Sequence, residues 1–251
     1  MTFRFKAFGL HLLGSACALT LVMGGMYLGW YRWPGWYLSS VLHIVGIVVM
    51  VDVVIGPTLT LIVANAGKST RELARDIGMI VAVQLIALGY GSVTLWLGRP
   101  LYYAFSVNCL QLVQASDLQA DEIALGRRQN PQLAPHWYSL PRWIWAPLPQ
   151  DPQQAAKIVR GTVLGGQDVV QMPRYFRPWN EGLPALRQQL TRIDSMKYFS
   201  RLEKQRLERR MLQLGLAVDE PNALVFWGGS LRLLAVFDPK TLRIVALLRP
   251  D

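Results

Sequence analysis

The hydrophobic pattern divides the chain into an apolar N-terminal part and a mixed C-terminal part. Residues 8–30, 37–64 and 77–97 form three runs that contain no Lys or Arg and a single acid among them. A helix needs about 20 apolar residues to cross the hydrocarbon of a bilayer, so each run is long enough. We therefore predict a three-helix transmembrane domain over residues 1–97.

The pattern after residue 97 changes to that of a folded domain with strands and helices. Pro100–Leu118 is rich in Tyr, Phe and Val with partial alternation, which predicts one strand that follows directly on the third apolar run. Residues 131–184 are dense in Pro and Trp, so we expect irregular structure with short elements there. Their aromatic side chains would suit either a partner surface, lipid headgroups or the core of a small domain.

The C-terminal third predicts a helix followed by an antiparallel meander. Residues 184–214 approximate a helical stripe of Leu, Ile and Met, and the opposite face is basic, as in a solvated helix or a surface for an acidic partner. Three strand-like runs follow, at Ala223–Trp227, Leu231–Phe237 and Arg243–Leu248. The sequence therefore predicts that residues 98–251 form an α+β domain with an antiparallel sheet.

Lys and Arg in the short connecting segments predict the orientation of the helices. Arg4 and Lys6 precede the first run, and Lys68 lies between the second and the third. The segment between the first and the second run carries only one basic residue, Arg32. Basic loops stay in the cytoplasm. We therefore expect a multi-pass protein of the bacterial inner membrane, with a cytoplasmic N-terminus and residues 98–251 in the periplasm.

Charged residues mark the ends of the predicted spans. Lys68 lies in the cytoplasmic loop, Asp76 at the cytoplasmic start of the third span, and Arg99 at its outer end. A basic start followed by an apolar run also fits a cleaved signal peptide. The first run is longer than a signal core and continues to an aromatic interface at Trp30, so we expect it to remain as a span.

The segment Ala66–Thr70 has letters in common with a phosphate loop, but its spacing is wrong. Such a loop needs a glycine five residues before the Gly-Lys-Ser sequence, and Ile62 stands in that place. The preceding run is also too long and too apolar for a strand. We therefore predict a polar turn here, with no nucleotide and no other cofactor.

Several polar residues and glycines lie within the second and third runs and just beyond them. They are Asp52, Gly56-Pro57-Thr58-Leu59-Thr60, Lys68, Asp76, Gln84, Ala87, Tyr90-Gly91 and Arg99-Pro100. With these features, residues 51–105 resemble the core of the TfpX/TfpZ family of type IV pilin accessory proteins.

The resemblance implies an inner-membrane protein that binds its cognate type IV pilin and assists pilin stability, pilus assembly or pilus dynamics, in the manner of a chaperone. Membrane lipid and other inner-membrane components of the pilus machinery are the further partners that it suggests. It implies no enzyme activity and no cofactor.

Asp52 is the one acid within the apolar runs and therefore the first residue to test for chemistry. A membrane aspartyl peptidase needs two carboxylates that share a proton and a water. At 1.5 Å per residue, Asp52 lies roughly 18 Å from the cytoplasmic end of its helix, at the depth of Tyr90, whereas Asp76 stays at the surface. The three histidines, His11, His43 and His136, fall in different places. We expect no catalytic residues and no metal site.

An unpaired acid at mid-bilayer costs about 3 kcal/mol or more, so Asp52 is expected to face other helices. The depth estimate pairs Asp52 with Tyr90, and Gln84 with the kink at Pro57, where proline leaves a carbonyl free. These contacts would hold the second and third spans together. A second hypothesis gives the same residues a function. In it, a groove at Asp52, Gly56, Pro57, Gln84 and Tyr90 accepts the transmembrane helix of the pilin.

Two other classes of function remain open at this stage. Asp52 would also suit a small proton-coupled or ligand-binding membrane protein, although three spans are few for a transporter. The formal net charge of +10 would suit a periplasmic polyanion-binding module anchored in the membrane. Residues 98–251 carry no DNA or RNA motif, so no nucleic-acid partner is expected.

Overall fold

The computed structural model describes residues 3–251, which form two compact units. The helical unit contains the chain up to Trp36 together with Ser40–Gly98. The sheet unit contains Arg99–Asp251 and, in addition, the short segment Tyr37–Ser39.

The helical unit contains three long apolar helices, α1 (Phe3–Gly29), α2 (Leu42–Val63) and α3 (Thr70–Leu97). Each is long and apolar enough to cross a membrane. The prediction of three apolar helices is confirmed. The start of α3 differs from the predicted residue 77, because Ser69 and Glu72 form a capping box that begins the helix at Thr70.

The sheet unit is built on seven strands in the spatial order β4-β3-β1-β2-β5-β6-β7. They are β1 (Pro100–Ser106), β2 (Cys109–Gln114), β3 (Arg142–Trp145), β4 (Arg177–Pro178), β5 (Ala223–Gly228), β6 (Leu231–Phe237) and β7 (Ile244–Leu248). The predicted single strand over Pro100–Leu118 is instead the hairpin β1–β2. Its turn includes Val107, which has a φ of 48°.

The sheet is mixed, and the prediction of an antiparallel sheet is wrong. The C-terminal meander β5-β6-β7 is antiparallel as predicted, but β1 pairs in parallel with β3, and β2 pairs in parallel with β5. Parallel neighbours need long crossover connections, and the segments before β3 and β5 provide them. Local strand patterns give no sign of which distant strands will pair.

Four helices belong to the sheet unit, α4 (Ala120–Gln129), α5 (Pro152–Val163), α6 (Leu183–Gln189) and α7 (Arg201–Gln213). The helical stripe predicted over residues 184–214 is therefore two helices. The chain leaves the helix at Leu190, and Thr191 exchanges backbone hydrogen bonds with Ala223, the first residue of β5. Ile193 and Met196 are buried in this stretch, where Ile193–Ser195 forms a single 3-10 turn, so they contribute to the apolar pattern outside an α-helix.

Both faces of the central strands are covered by apolar side chains. On one face, Tyr103, Phe105 and Phe226 pack in a cluster with Leu186 of α6. On the other face, Tyr102 and Ala104 pack with Ile158 of α5. A third cluster places Leu207 and Met211 of α7 against the alternate residues of β5 and β6. All seven residues of β1 are buried, which explains why its alternation is only partial.

Candidate functional site

A segment of α2 around Asp52 departs from α-helical geometry. Met50–Ile55 forms a π-helical turn, and the Gly56 N–H donates to the carbonyl of Val51, five residues earlier. In this register the Asp52 carbonyl would accept from residue 57, but Pro57 has no N–H. The turn therefore leaves the Asp52 carbonyl free in the middle of a helix that is long and apolar enough to span a membrane.

Gln84 of α3 satisfies this free carbonyl. Its Nε2 donates to the Asp52 carbonyl oxygen at 2.9 Å and lies 3.3 Å from Ser15 Oγ of α1. Gln84 is 6% exposed. The expectation that Gln84 reaches the Pro57 kink is met by this contact, which joins α3 to the irregular turn of α2.

His11 and Thr60 extend the contact into a chain of hydrogen bonds. His11 Nε2 lies 2.7 Å from Gln84 Oε1, and His11 Nδ1 lies 2.5 Å from Thr60 Oγ1. Because the amide nitrogen of Gln84 donates to Asp52, its oxygen accepts, and the proton of a neutral imidazole is therefore on Nε2. Nδ1 then accepts from the Thr60 hydroxyl. His11 and Ser15 of α1, Asp52 and Thr60 of α2, and Gln84 of α3 all take part, so the network ties the three helices together.

The carboxylate of Asp52 is the polar group that this network leaves out. The side chain is only 4% exposed, and neither carboxylate oxygen has a hydrogen-bond partner among residues 3–251. In an apolar environment a carboxyl group without a partner is costly, whether it is ionised or protonated. Asp52 thus retains an unsatisfied capacity to accept hydrogen bonds.

Asp52 lines a cavity of about 640 Å³ within the helical unit. Its walls come mainly from α1 and α3 and are apolar. The polar residues of the lining are Lys6, His11, Ser15, Asp52, Thr60 and Gln84. The cavity therefore lies beside the hydrogen-bond network and beside Asp52, whose carboxylate oxygens are buried and have no partner among the described residues.

The other residues of the predicted docking site have different positions. A Cβ atom at Gly56 would lie 2.1 Å from Gln84 Nε2, so this glycine permits the close contact between α2 and α3. Gly56 and Pro57 are buried and are not among the lining residues of the cavity. Tyr90 is 76% exposed and does not bond to Asp52, so the predicted Asp52–Tyr90 pair is wrong.

The error in the predicted pair has a simple cause. The prediction began the third helix at residue 77, whereas α3 begins at Thr70. That difference of seven residues moves Gln84, instead of Tyr90, to the depth of Asp52.

The charged residues predicted at the ends of the spans lie apart from the cavity. Lys68 Nζ and Asp76 Oδ2 form a salt bridge of 2.7 Å at the start of α3. Arg99 is 7% exposed in the sheet unit, where its carbonyl accepts from the N–H of Ala115. Asp76 is eight residues from Gln84, or about 12 Å along α3, which keeps it away from Asp52.

The sheet unit also contains a buried carboxylic acid, Glu122 of α4. It is 5% exposed and pairs with Arg174 at 3.2 Å. Burial raises the pKa of the Glu122 carboxyl, and the charge of Arg174 opposes that shift. Burial likewise raises the pKa of Tyr103 to about 12. Between Phe3 and Asp251, no group of three His, Cys, Asp or Glu side chains is arranged to hold a metal ion.

Sequence reasoning missed the contribution of α1 to the site. His11, Ser15 and Thr60 are polar residues inside long apolar helices, and such residues usually face other helices or a cavity. The rule that predicts a helix-facing position for Asp52 therefore predicts one for His11 as well.

Comparison with known proteins gives relatives of one kind. The chain is 27% identical over 188 residues to the fimbrial assembly protein, serogroup I, of Dichelobacter nodosus, a match that covers 74% of this chain and 70% of that protein. It is 29% identical over 121 residues to the fimbrial assembly protein, serogroups C1 and C2, of the same organism, covering 48% of this chain and 92% of that protein. No family model matches the chain, and no solved structure matches it.

Proposed function

We propose that this protein is a membrane-anchored factor in fimbrial assembly that binds a type IV pilin. The observation that carries the proposal is the similarity, over three quarters of the chain, to a protein named for fimbrial assembly. The resemblance of residues 51–105 to type IV pilin accessory proteins supports the type IV pilus as the class of fimbria and its pilin as the partner.

The proposed arrangement has the three apolar helices in the bacterial inner membrane, with the N-terminus in the cytoplasm and the sheet unit in the periplasm. Lys68 on the short loop before α3, with Arg71 and Arg75 in the first turns of α3, supports this orientation. The helical unit would then meet the transmembrane helix of the pilin. The sheet unit would meet its globular head.

The role that we propose is non-catalytic. Asp52 and Asp76 are too far apart along the helices to share a proton, as a membrane aspartyl peptidase requires. The buried polar network around Gln84 supports a binding role instead, because it fixes three helices around a cavity that retains one unsatisfied acceptor.

A deletion strain tests the proposal through two separate measurements, the amount of pilin in the membrane fraction and the number of pili on the cell surface. Loss of pilin would indicate that the protein stabilises its partner before assembly. Normal pilin with altered or missing pili would indicate a role in assembly or in pilus dynamics. Unchanged pilin and unchanged pili would reject the proposal and favour the proton-coupled or ligand-binding alternative that Asp52 suggests.

A further inference from the structure

The cavity beside Asp52 has two walls of different character. The α1 wall includes the small residues Gly14, Ser15 and Ala18, and a Cβ atom added to Gly14 would meet no atom within 4 Å. The α3 wall is a row of larger aliphatic residues that includes Val81 and Leu85. Small residues on one helix allow the backbone of another helix to approach closely in lipid.

The length of the cavity suits a helix. Its lining extends from Phe3 to Ala18 on α1 and from Leu73 to Leu88 on α3. At 1.5 Å per residue, each wall is about 22 Å long, which corresponds to about four helical turns. Leu10 and Leu85 are 75% and 61% exposed, so the cavity is an open groove along its apolar walls.

The hydrogen-bond network defines what the occupant has to offer. Gln84 uses both its oxygen and its nitrogen, and both nitrogens of His11 are engaged. The carboxylate of Asp52 is buried and has no partner in the described chain. A ligand that fills the groove therefore leaves the site unsatisfied unless it donates a hydrogen bond to Asp52.

We propose that this groove, termed the α1/α3 groove, binds an apolar transmembrane helix that presents one hydrogen-bond donor to Asp52. The inference rests on the proposed function, which identifies that helix as the one of the pilin. Gly14 and Ala18 accommodate its backbone, the aliphatic row of α3 packs against its side chains, and Asp52 selects its position along the groove. A lipid acyl chain would fill the apolar walls but has no donor for the carboxylate.

Site-specific photocrosslinking in membranes of pilin-producing cells tests the inference with the full chain. The crosslinking amino acid p-benzoylphenylalanine replaces Leu10 or Leu85 in the groove. Matched controls carry it at Leu21 of α1 and Ile86 of α3, which are 80% and 72% exposed and do not line the groove. We expect at least tenfold more pilin to be captured from the groove positions than from the controls.

Three second-site substitutions examine recognition. Asp52→Leu removes the acceptor and is expected to lower pilin capture at Leu85 at least tenfold, whereas Asp52→Asn keeps an acceptor oxygen and is expected to retain most of it. Gly14→Leu fills the α1 wall and is expected to lower capture by a similar factor. Gly14 has open space around it, so this variant keeps the test valid even if Asp52→Leu does not fold.

A further crosslinking position separates this inference from the proposed function. Trp137 of the sheet unit is 72% exposed. Capture of pilin at Trp137 without capture at Leu10 or Leu85 would contradict the inference that the groove binds the pilin helix. It would leave the proposed binding of pilin intact. Capture of lipid or of a second copy of this chain in the groove would contradict the inference too. So would pilin capture in Asp52→Leu and Gly14→Leu that equals the capture without these substitutions. Capture of pilin at none of these positions would count against both.

Discussion

The two units of this protein bury their apolar side chains to different extents. In the sheet unit the largest fully buried residues are aromatic or aliphatic, such as Phe105, Phe226 and Phe237. In the helical unit many aliphatic side chains are exposed, and the few residues below 9% exposure include the polar Asp52, Thr60 and Gln84 beside apolar ones such as Val48 and Leu95. Apolar burial stabilises the sheet unit. Apolar helices within a membrane depend instead on close packing and on hydrogen bonds between the helices.

The largest effect is expected where the apolar core of the sheet unit is reduced. Phe226 is fully buried, with its ring 5.8 Å from that of Tyr103 and 5.6 Å from that of Trp143. Phe226→Ala is expected to lower the free energy of unfolding by about 3–5 kcal/mol, through lost burial and the cavity left behind. Urea unfolding of the full chain in detergent, followed by tryptophan fluorescence, measures the change.

The exposed Leu212 of α7 provides the control for that experiment. Its side chain is 65% exposed, so Leu212→Ala is expected to change the free energy of unfolding by less than about 0.5 kcal/mol. A loss below about 1 kcal/mol for Phe226→Ala would remove the contrast between the two units.

A smaller effect is expected from adding one methyl group between α2 and α3. In Gly56→Ala the new Cβ would overlap the Gln84 amide, which has to move away from the Asp52 carbonyl. We expect a loss of about 1–3 kcal/mol in the stability of helix association, measured by unfolding in mixed micelles. Gly24→Ala is the control, because its Cβ would meet nothing within 4 Å. Equal stability of the two variants would show that α2 and α3 do not pack in this way.

The network itself is expected to contribute less than the apolar core. Gln84→Leu keeps the size of the side chain but removes the donor to Asp52 and the acceptor for His11. Interhelical hydrogen bonds in membranes are worth about 0.6–2 kcal/mol, so a loss of that order is expected in the same mixed-micelle assay. Ile86→Leu, at an exposed position of α3, should have no effect. A loss as large as that of Phe226→Ala would mean that polar contacts dominate the helical unit.

The smallest effect concerns the pH dependence of the sheet unit. Burial raises the pKa of Glu122 above its unfolded value of about 4.3, so the folded state binds the proton more tightly. The contribution of Glu122 to stability is therefore present below that pH and is lost as the pH rises through the folded pKa. In Glu122→Gln this decline should be absent, although the loss of the Arg174 pair lowers stability at neutral pH.

Unfolding curves recorded at pH values from 4 to 8 test this expectation through the shape of the profile. Glu220→Gln, at an exposed site, is the control and should reproduce the wild-type shape. Parallel profiles for the wild type and Glu122→Gln would show that burial does not raise the pKa of Glu122.

Much of the architecture follows from local sequence signals. Three apolar runs predict the three long helices, and the turn residues around Leu231–Phe237 predict the C-terminal meander that the structure contains. The parallel pairing of β1 with β3 and of β2 with β5 joins strands that are distant in sequence. No local pattern encodes such pairing, because it depends on how long crossover segments pack.

The candidate site was predicted in part, for a reason that concerns helix ends. Hydropathy alone begins the third span at residue 77, since Arg71, Glu72 and Arg75 lower the local average. Ser69 and Glu72 form a capping box, which is a recognisable sequence signal and places the start at Thr70. With that start, the antiparallel alignment matches Gln84 to Asp52 and leaves Tyr90 on the exposed surface.

The segment Tyr37–Ser39 affects the order in which the protein folds during synthesis. Leu38 is 1% exposed in the core of the sheet unit, and a Cβ atom at Gly228 would lie 2.4 Å from it. A residue near the start of the chain and one near its end are thus required in the same core. During synthesis the early residue has to wait for β5 to emerge, and a fragment beginning at Arg99 would fold around an empty position.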